Sequence, residues 1–305
     1  MVRKITIGTR SSRLALIQTE SVVARLRALD LGIEIAVRRI ATSGDRDRTS
    51  SLADLGVSIF VKELEEALLD GRIDLAVHSM KDVPTEIPAG LRLLGSPERA
   101  DPRDVLVAKC CLADLPAGSR IGTGSLRRSR QLLEHRADLV VSDIRGNVDT
   151  RLDKAFSADL DGVILAAAGI TRLGFADKIT QYLPVEEFLP DPGQGALALE
   201  GRSDDHELAR IVAGINDLAV WQRVTAERAF LSRLGGGCRA PIGALATIDG
   251  PNLKLTGMVA NPLGRGIVRG VLEGPSSAPE ATGLSLAEEL LYRGAAAFMA
   301  TVTAR

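Results

Sequence analysis

Along the first half of the chain, short alternating runs give way repeatedly to apolar residues at helical spacing. Lys4–Gly8 alternates with a period of two and predicts a strand. After it, Leu14, Ile17, Val22 and Leu26 fall on one helical face, with Ser11 or Ser12 placed to cap it. Glu34–Ile40 predicts a second strand, and Ile59–Leu69 an amphipathic helix with Ile59, Leu64, Ala67 and Leu68 inward. Asp74–His78 predicts a third, buried strand. Strands separated by helices predict βαβ units and a parallel sheet.

Four prolines (Pro84, Pro88, Pro97 and Pro102) then break up Val83–Arg103, predicting a crossing between lobes. A second α/β stretch follows, with strands near Asp104–Ala108, Arg120–Gly122, Leu139–Asp143 and Gly162–Leu165. Helices are expected near Leu126–His135 and Val148–Phe156. Pro184, Pro190 and Pro192 mark a return crossing, and Ala196–Glu200 predicts one more strand. Beyond Asp217 the pattern changes to a helix over Val220–Leu234 and a Gly235-Gly236-Gly237-Cys238 turn. Three alternating strands near Ala244–Ile248, Leu253–Val259 and Gly266–Leu272 precede a terminal helix from Ser285. The expected architecture is α/β, two lobes with a doubly crossed hinge making a cleft, plus a small α+β C-terminal domain. The expected boundaries are residues 1–98 with 194–216, residues 99–193, and residues 217–305.

A length of 305 residues suits two or three domains with ample cores. The 38 basic residues balance 39 acidic ones, so the field that a duplex-binding protein needs is missing. Aromatic residues at 3% also argue against stacking platforms for single strands. The longest apolar run, Val163–Ala168, is far short of the ~20 residues of a membrane span. Met1-Val2-Arg3-Lys4 passes straight into a strand pattern with no apolar signal region, so secretion is not expected. Cys110, Cys111 and Cys238 cannot form a closed set of disulfides, and no spacing suggests a metal site. A reducing, cytoplasmic setting is therefore expected. Only seven of the basic residues are Lys, so the positive charge is mostly guanidinium, the group suited to bidentate carboxylate recognition.

His78-Ser79-Met80-Lys81-Asp82-Val83-Pro84 stands at the carboxyl end of the third strand, where open α/β sheets bind ligands. Taken alone, Lys81-Asp82 reads as a solvated loop ion pair. In a cleft, the same carboxyl can exchange protons with a substrate nitrogen or stabilise a developing cation. His78 reads as a packed strand-end residue. Gly122-Thr123-Gly124-Ser125 followed by Leu126-Arg127-Arg128 forms a glycine turn, hydroxyl cap and helix start, an arrangement that binds anions or simply caps a helix. Arg10, Arg145, Arg151 and Arg172 recur at strand-to-helix addresses, which suits a ligand with many carboxylates. Cys238, on a triple-glycine loop, reads as a nucleophile, a covalent anchor or a small buried hydrophobe.

In family order, seven segments resemble the porphobilinogen deaminases, also called hydroxymethylbilane synthases. They are Gly8-Thr9-Arg10-Ser11-Ser12 with Leu14-Ala15-Leu16 and Gln18; Phe60-Val61-Lys62-Glu63-Leu64-Glu65; His78-Ser79-Met80-Lys81-Asp82; Ser125-Leu126-Arg127-Arg128; Arg145-Gly146-Asn147-Val148 with Thr150-Arg151-Leu152; Gly193-Gln194-Gly195-Ala196; and Gly236-Gly237-Cys238 with Pro241-Ile242-Gly243. The resemblance implies a cytoplasmic, monomeric transferase whose first two domains are periplasmic-binding-protein-like lobes. It implies condensation of four porphobilinogen molecules into hydroxymethylbilane with release of four ammonia, on a dipyrromethane cofactor thioether-linked to Cys238. By the same resemblance, Asp82 is the catalytic carboxylate, assisting loss of ammonia and stabilising an azafulvene-like cation. Ser79, Lys81, Ser125, Arg127 and Arg128 would hold the cofactor. Arg10, Ser12, Gln18, Phe60, Arg145, Arg151, Arg172 and Gln194 would bind incoming substrate and the growing oligopyrrole chain, with no nucleic acid or membrane partner. Two departures stand out: Leu55-Gly56-Val57-Ser58-Ile59-Phe60 lacks a lysine common in that loop, and Gly124 replaces a common serine. A different reading is a two-lobed anion-binding module, with Cys238 an unmodified thiol and the C-terminal domain docking a partner.

Overall fold

The computed structural model describes residues 3–41, 61–155, 157–235 and 240–303. The chain separates into two compact units, Met1–Arg99 with Ala196–Trp221, and Ala100–Gly195 with Gln222–Arg305. In the first unit, β1 (Lys4–Arg10) runs parallel to β2 (Glu34–Ile40) on one side and β3 (Leu75–Ser79) on the other. β10 (Leu197–Arg202) returns from far along the chain and lies antiparallel between β3 and β4 (Leu91–Gly95). Helix α1 (Arg13–Arg27) starts at Ser12, whose hydroxyl accepts from the Ala15 N–H as an N-cap. Its Val22, Val23 and Leu26 pack with Ile5, Ile7, Val77 and Leu199 on one face of the sheet. Leu64, Ala67 and Leu68 of α2 (Lys62–Leu69) cover Ala76 on the opposite face.

The second unit repeats the plan. β6 (Arg120–Gly122) is parallel to β7 (Val140–Ser142) and β8 (Gly162–Ala166), while β5 (Asp104–Ala108) lies antiparallel between β8 and β9 (Gln181–Tyr182). Helices α3 (Leu126–His135) and α4 (Val148–Lys154) follow β6 and β7. The same unit holds an antiparallel meander, β11 (Ile242–Asp249), β12 (Asn252–Ala260) and β13 (Ile267–Pro275). Its core gathers Phe230, Leu255 and Leu286 with no exposed surface.

Both large sheets are mixed, where the alternation of strands and helices predicted parallel ones. The reason is one antiparallel strand in each, β10 and β5: the sequence pattern predicts both strands, but local periodicity does not report their direction. Nor does periodicity predict β4, because Pro88 and Pro97 closely bracket it. α5 (Ala167–Arg172) and α6 (His206–Ala213) are single short helices whose apolar runs continue those of neighbouring strands or loops. The terminal helix starts at Pro279 rather than Ser285, since proline is well suited to the first helical turn, where its missing N–H costs nothing. This α8 (Pro279–Leu290) meets α7 (Leu218–Leu234) at Gly283. A Cβ there would lie 2.8 Å from the Ala229 Cβ and 2.9 Å from the Phe230 N, and would also collide with the Ala226 carbonyl. Backbone cannot yield as a flexible side chain does, so the helices would have to part. Gly283→Ala is expected to cost about 1–3 kcal/mol, read as a lower urea midpoint. An unchanged midpoint would contradict this close approach.

Candidate active site

Five of the residues singled out in the sequence meet around one pocket of the first unit. β1 delivers Arg10 at its end, the turn after it delivers Ser12, α1 delivers Gln18, and the end of β3 delivers Ser79. A single 3-10 turn, Met80–Asp82, then anchors itself through the buried Met80 and turns Asp82 toward the same pocket. The buried Gln18 amide donates to the Ser79 hydroxyl at 2.9 Å, which fixes that hydroxyl in the pocket wall. Lys81 lies on the same turn, half-buried, and is not part of the lining. His78 is a packed strand-end residue, as expected: it is 5% exposed, and its Nε2 is 3.0 Å from a carboxylate oxygen of the fully buried Glu200.

In the second unit the glycine turn behaves as a helix cap. The Ser125 hydroxyl accepts from the Arg128 N–H at 3.5 Å, and the Thr123 hydroxyl from the Ser125 N–H at 3.2 Å. A Cβ on Gly124 would lie 2.7 Å from the Ile144 carbonyl oxygen, so this turn has no room for the serine common at that place. Arg127 and Arg128 point inward and are 1% and 4% exposed. Arg127 donates to Asp191 through Nε, and to Asp104 and the Leu189 carbonyl through Nη1, while its Nη2 is buried without a partner. Arg128 donates to Asp104 through Nε at 2.9 Å and to the Gln194 side-chain carbonyl through Nη2 at 3.2 Å. The Gln194 amide in turn donates to Asp104 at 2.9 Å and to the Pro102 carbonyl at 2.7 Å. One fully buried carboxylate thus organises two guanidinium groups and an amide.

The remaining predicted arginines stand elsewhere in that unit. Arg145 clasps Asp143 through Nε and Nη2, both at 3.0 Å, and Arg151 donates to the Gly146 carbonyl at 2.7 Å, so both brace the turn ahead of α4. Arg172, at the end of α5, donates to the Gly195 carbonyl at 3.0 Å, one residue from Gln194. Cys238, its glycines Gly236 and Gly237, Phe60, and the loop missing a lysine all lie outside the described residues. Cys110 is half-buried and Cys111 exposed, both as free thiols. Sequence reasoning missed Asp104, Asp191, Glu65 and Glu200. Asp104 and Glu200 did carry a signal: each is a lone acid in an otherwise apolar or small-residue strand run, which requires a partner.

Complete burial pushes the Asp104 carboxyl up, but Arg127 and Arg128 outweigh it and hold the group below the usual carboxylate range. Burial opposes the Arg127 charge too, and Asp104 and Asp191 more than compensate, raising its pKa. A carboxyl with a lowered folded pKa stabilises the fold above its unfolded value of about 4, and loses that contribution as pH falls through the folded value. Asp104→Asn leaves two buried guanidinium groups short of a counter-charge. It is expected to cost about 3–5 kcal/mol at pH 7 by chemical denaturation. A loss below about 1 kcal/mol would show that the cluster contributes little.

No helix among the described residues is long and apolar enough to cross a membrane, and no group of metal-ligating side chains occurs among them. Residues 5–210 match the family model described as porphobilinogen deaminase, dipyromethane cofactor binding domain, and residues 221–292 match the porphobilinogen deaminase C-terminal domain. A porphobilinogen deaminase of Roseiflexus castenholzii is 48% identical over 98% of this chain and 100% of its own length. One of Syntrophus aciditrophicus is 50% identical over 94% of this chain and 95% of its own. One of Geotalea uraniireducens is 46% identical over 100% and 96%. Among solved structures, lipoprotein Tp32 of Treponema pallidum aligns with a TM-score of 0.44 and 16% identity over 70% of this chain and 90% of its own. With both domain models matched in order and relatives matched end to end, the chain belongs to the porphobilinogen deaminase family.

Proposed function

We propose that the protein is a hydroxymethylbilane synthase, joining four porphobilinogen molecules head to tail with release of four ammonia, and water completing the linear tetrapyrrole. The observation that carries this reading is a carboxyl, Asp82, sharing one pocket with a guanidinium, Arg10, and the hydroxyl and amide groups of Ser12, Gln18 and Ser79. Porphobilinogen carries an acetate, a propionate and an aminomethyl group, so it needs a cation for the first two and a proton donor for the third. Asp82, when protonated, gives its proton to the leaving amine; ionised, it faces the cation left on the ring and later accepts a proton. Arg10, Arg145, Arg151 and Arg172 are assigned to the carboxylates of incoming substrate and growing chain, with Ser12, Gln18, Phe60 and Gln194 completing that set.

Ser79 and Lys81 in the first unit, and Ser125, Arg127 and Arg128 in the second, are assigned to a dipyrromethane cofactor, whose carboxylates suit hydroxyl, ammonium and guanidinium donors; in the second unit Arg127 Nη2 is a buried donor without a partner. The cofactor's attachment is assigned to a thioether at Cys238. When bound, it supplies a pyrrole with a free α-carbon as the nucleophile. Arg127 and Ser125 contribute mainly by position, Arg127 through Asp104 and Ser125 as the cap of α3. The domain division at residues 1–98 with 194–216, 99–193 and 217–305, a monomeric state and a cytoplasmic setting belong to the same proposal.

Intact mass spectrometry tests the anchor. The purified protein is expected to exceed its sequence mass by two linked pyrrole units, and Cys238→Ser to lack the increment. A bare thiol in active protein would overturn the assignment. For Asp82→Asn, the increment is expected to persist while porphobilinogen turnover falls by about 10²–10⁴-fold, the usual range for a general acid–base group. Turnover within a few-fold of wild type would remove Asp82 from the chemistry.

A further inference from the structure

Behind the pocket wall lies a set of ionisable groups that the proposed chemistry leaves unused. β3 and β10 pair so that Ala76 faces Glu200 and His78 faces Ala198. Side chains two apart share a sheet face, so His78 and Glu200 are diagonal neighbours on the face covered by α2. There His78 Nε2 meets Glu200 Oε2 at 3.0 Å, with both side chains almost wholly enclosed. From the apolar side of α2 comes a second acid, Glu65, 6% exposed among Leu64, Ala67 and Leu68. Oε1 of Glu65 and Oε1 of Glu200 are both buried without a hydrogen-bond partner. Two carboxyls and one imidazole thus occupy a buried space, and the imidazole also lines the pocket that holds Asp82.

Two carboxylates in such a space cannot both ionise cheaply. The charged groups acting on Glu65 are Glu200 from β10 and His78 from β3, together with Glu66 of its own helix. β1 and β4 meet this face of α2 with apolar contacts, at Gly8 against Leu64 and at Leu91 in the shared cluster. We propose that Glu65, Glu200 and His78 form a buried, charge-coupled cluster whose loss of one proton adds a negative charge behind the pocket and weakens its hold on carboxylate-bearing substrate. Glu65 and Glu200 are positioning residues in this scheme and act through His78. Burial first, then the charge of Glu200, pushes the Glu65 carboxyl up to about 7, against a smaller opposing effect from His78.

The inference rests on porphobilinogen as substrate, so the test begins with wild-type holoenzyme that carries the two-pyrrole mass increment and consumes porphobilinogen. If it does neither, the functional reading fails. If it does, pH dependence and stability decide for or against the cluster. Wild-type KM is expected to rise about three- to tenfold between pH 6 and pH 8.5, the order expected of one charge at an effective dielectric near 20. Glu65→Gln should remove that rise while kcat keeps its pH dependence; parallel KM profiles in the two proteins would overturn the proposal. Stability supplies a check independent of turnover. A carboxyl with a raised folded pKa stabilises below its unfolded value, about 4.3, and that contribution is lost as pH rises through about 7. Between pH 5 and pH 8 the wild-type melting temperature should therefore fall relative to Glu65→Gln, and equal slopes would count against the cluster. Should Glu65→Gln not fold, infrared difference spectra of the wild type should show a protonated buried carboxyl that disappears between pH 6 and pH 8. Absence of such a band would refute the proposal.

Discussion

Each large sheet holds an antiparallel strand beside its third parallel strand, β10 returning from far along the chain in one and β5 opening the second unit in the other, and each brings a buried acid with it. β10 carries Glu200 to His78, one residue before the Ser79 that lines the pocket. β5 begins with Asp104, which receives Arg127, Arg128 and Gln194. A buried carboxylate is tolerated only with partners of opposite charge or good donors. These antiparallel strands therefore dictate what must stand opposite them, a histidine in one sheet and two arginines in the other. Strand pairing and electrostatics are here one constraint, and the polar residues near each site are arranged around it.

This changes what the arginines mean. A sequence rich in guanidinium groups suggests a surface ready to grip carboxylates, yet Arg127 and Arg128 are largely engaged with protein carboxylates of their own. Such groups hold position through neighbours, so the donors of the network are already oriented. Preorganisation of this kind favours electrostatic stabilisation, since little has to move when charge develops. In the first unit the same principle operates through the Gln18–Ser79 hydrogen bond.

The range of the forces involved decides how much is readable from the sequence. The strands Glu34–Ile40, Asp104–Ala108 and Arg120–Gly122 and the helix Leu126–His135 have the predicted bounds, because local periodicity and a capping serine specify them. Arg10 and Asp82 were legible as residues at strand ends, since parallel strands bring their carboxyl ends to one edge, while Ser12, Gln18 and Ser79 joined the site only through the family resemblance. The direction of β10 was not legible, nor the company of Glu65. An acid inside Lys-Glu-Leu-Glu-Glu-Ala reads as one more exposed helix position until the strand bearing Glu200 is laid beneath it. Non-local pairing decides such residues, and a single sequence contains no period that reports it.

Glu227 is one carboxylate serving two masters. From α7 it accepts the Gly193 N–H at 2.6 Å and the Ala246 N–H of β11 at 2.8 Å, fully enclosed. Gly193 adjoins Gln194, the amide partner of Arg128, and the helix bearing Glu227 ends at Leu234, shortly before Cys238. The small meander and the loop that feeds the arginine network are therefore geared together by this side chain and by the Ala244 N–H of β11, which donates to the Pro190 carbonyl at 3.0 Å. Slippage of that sheet would take the acceptor away from the Gly193 N–H and tug on the amide beside Arg128, so displacement of α7 or β11 has a direct mechanical route to the guanidinium array.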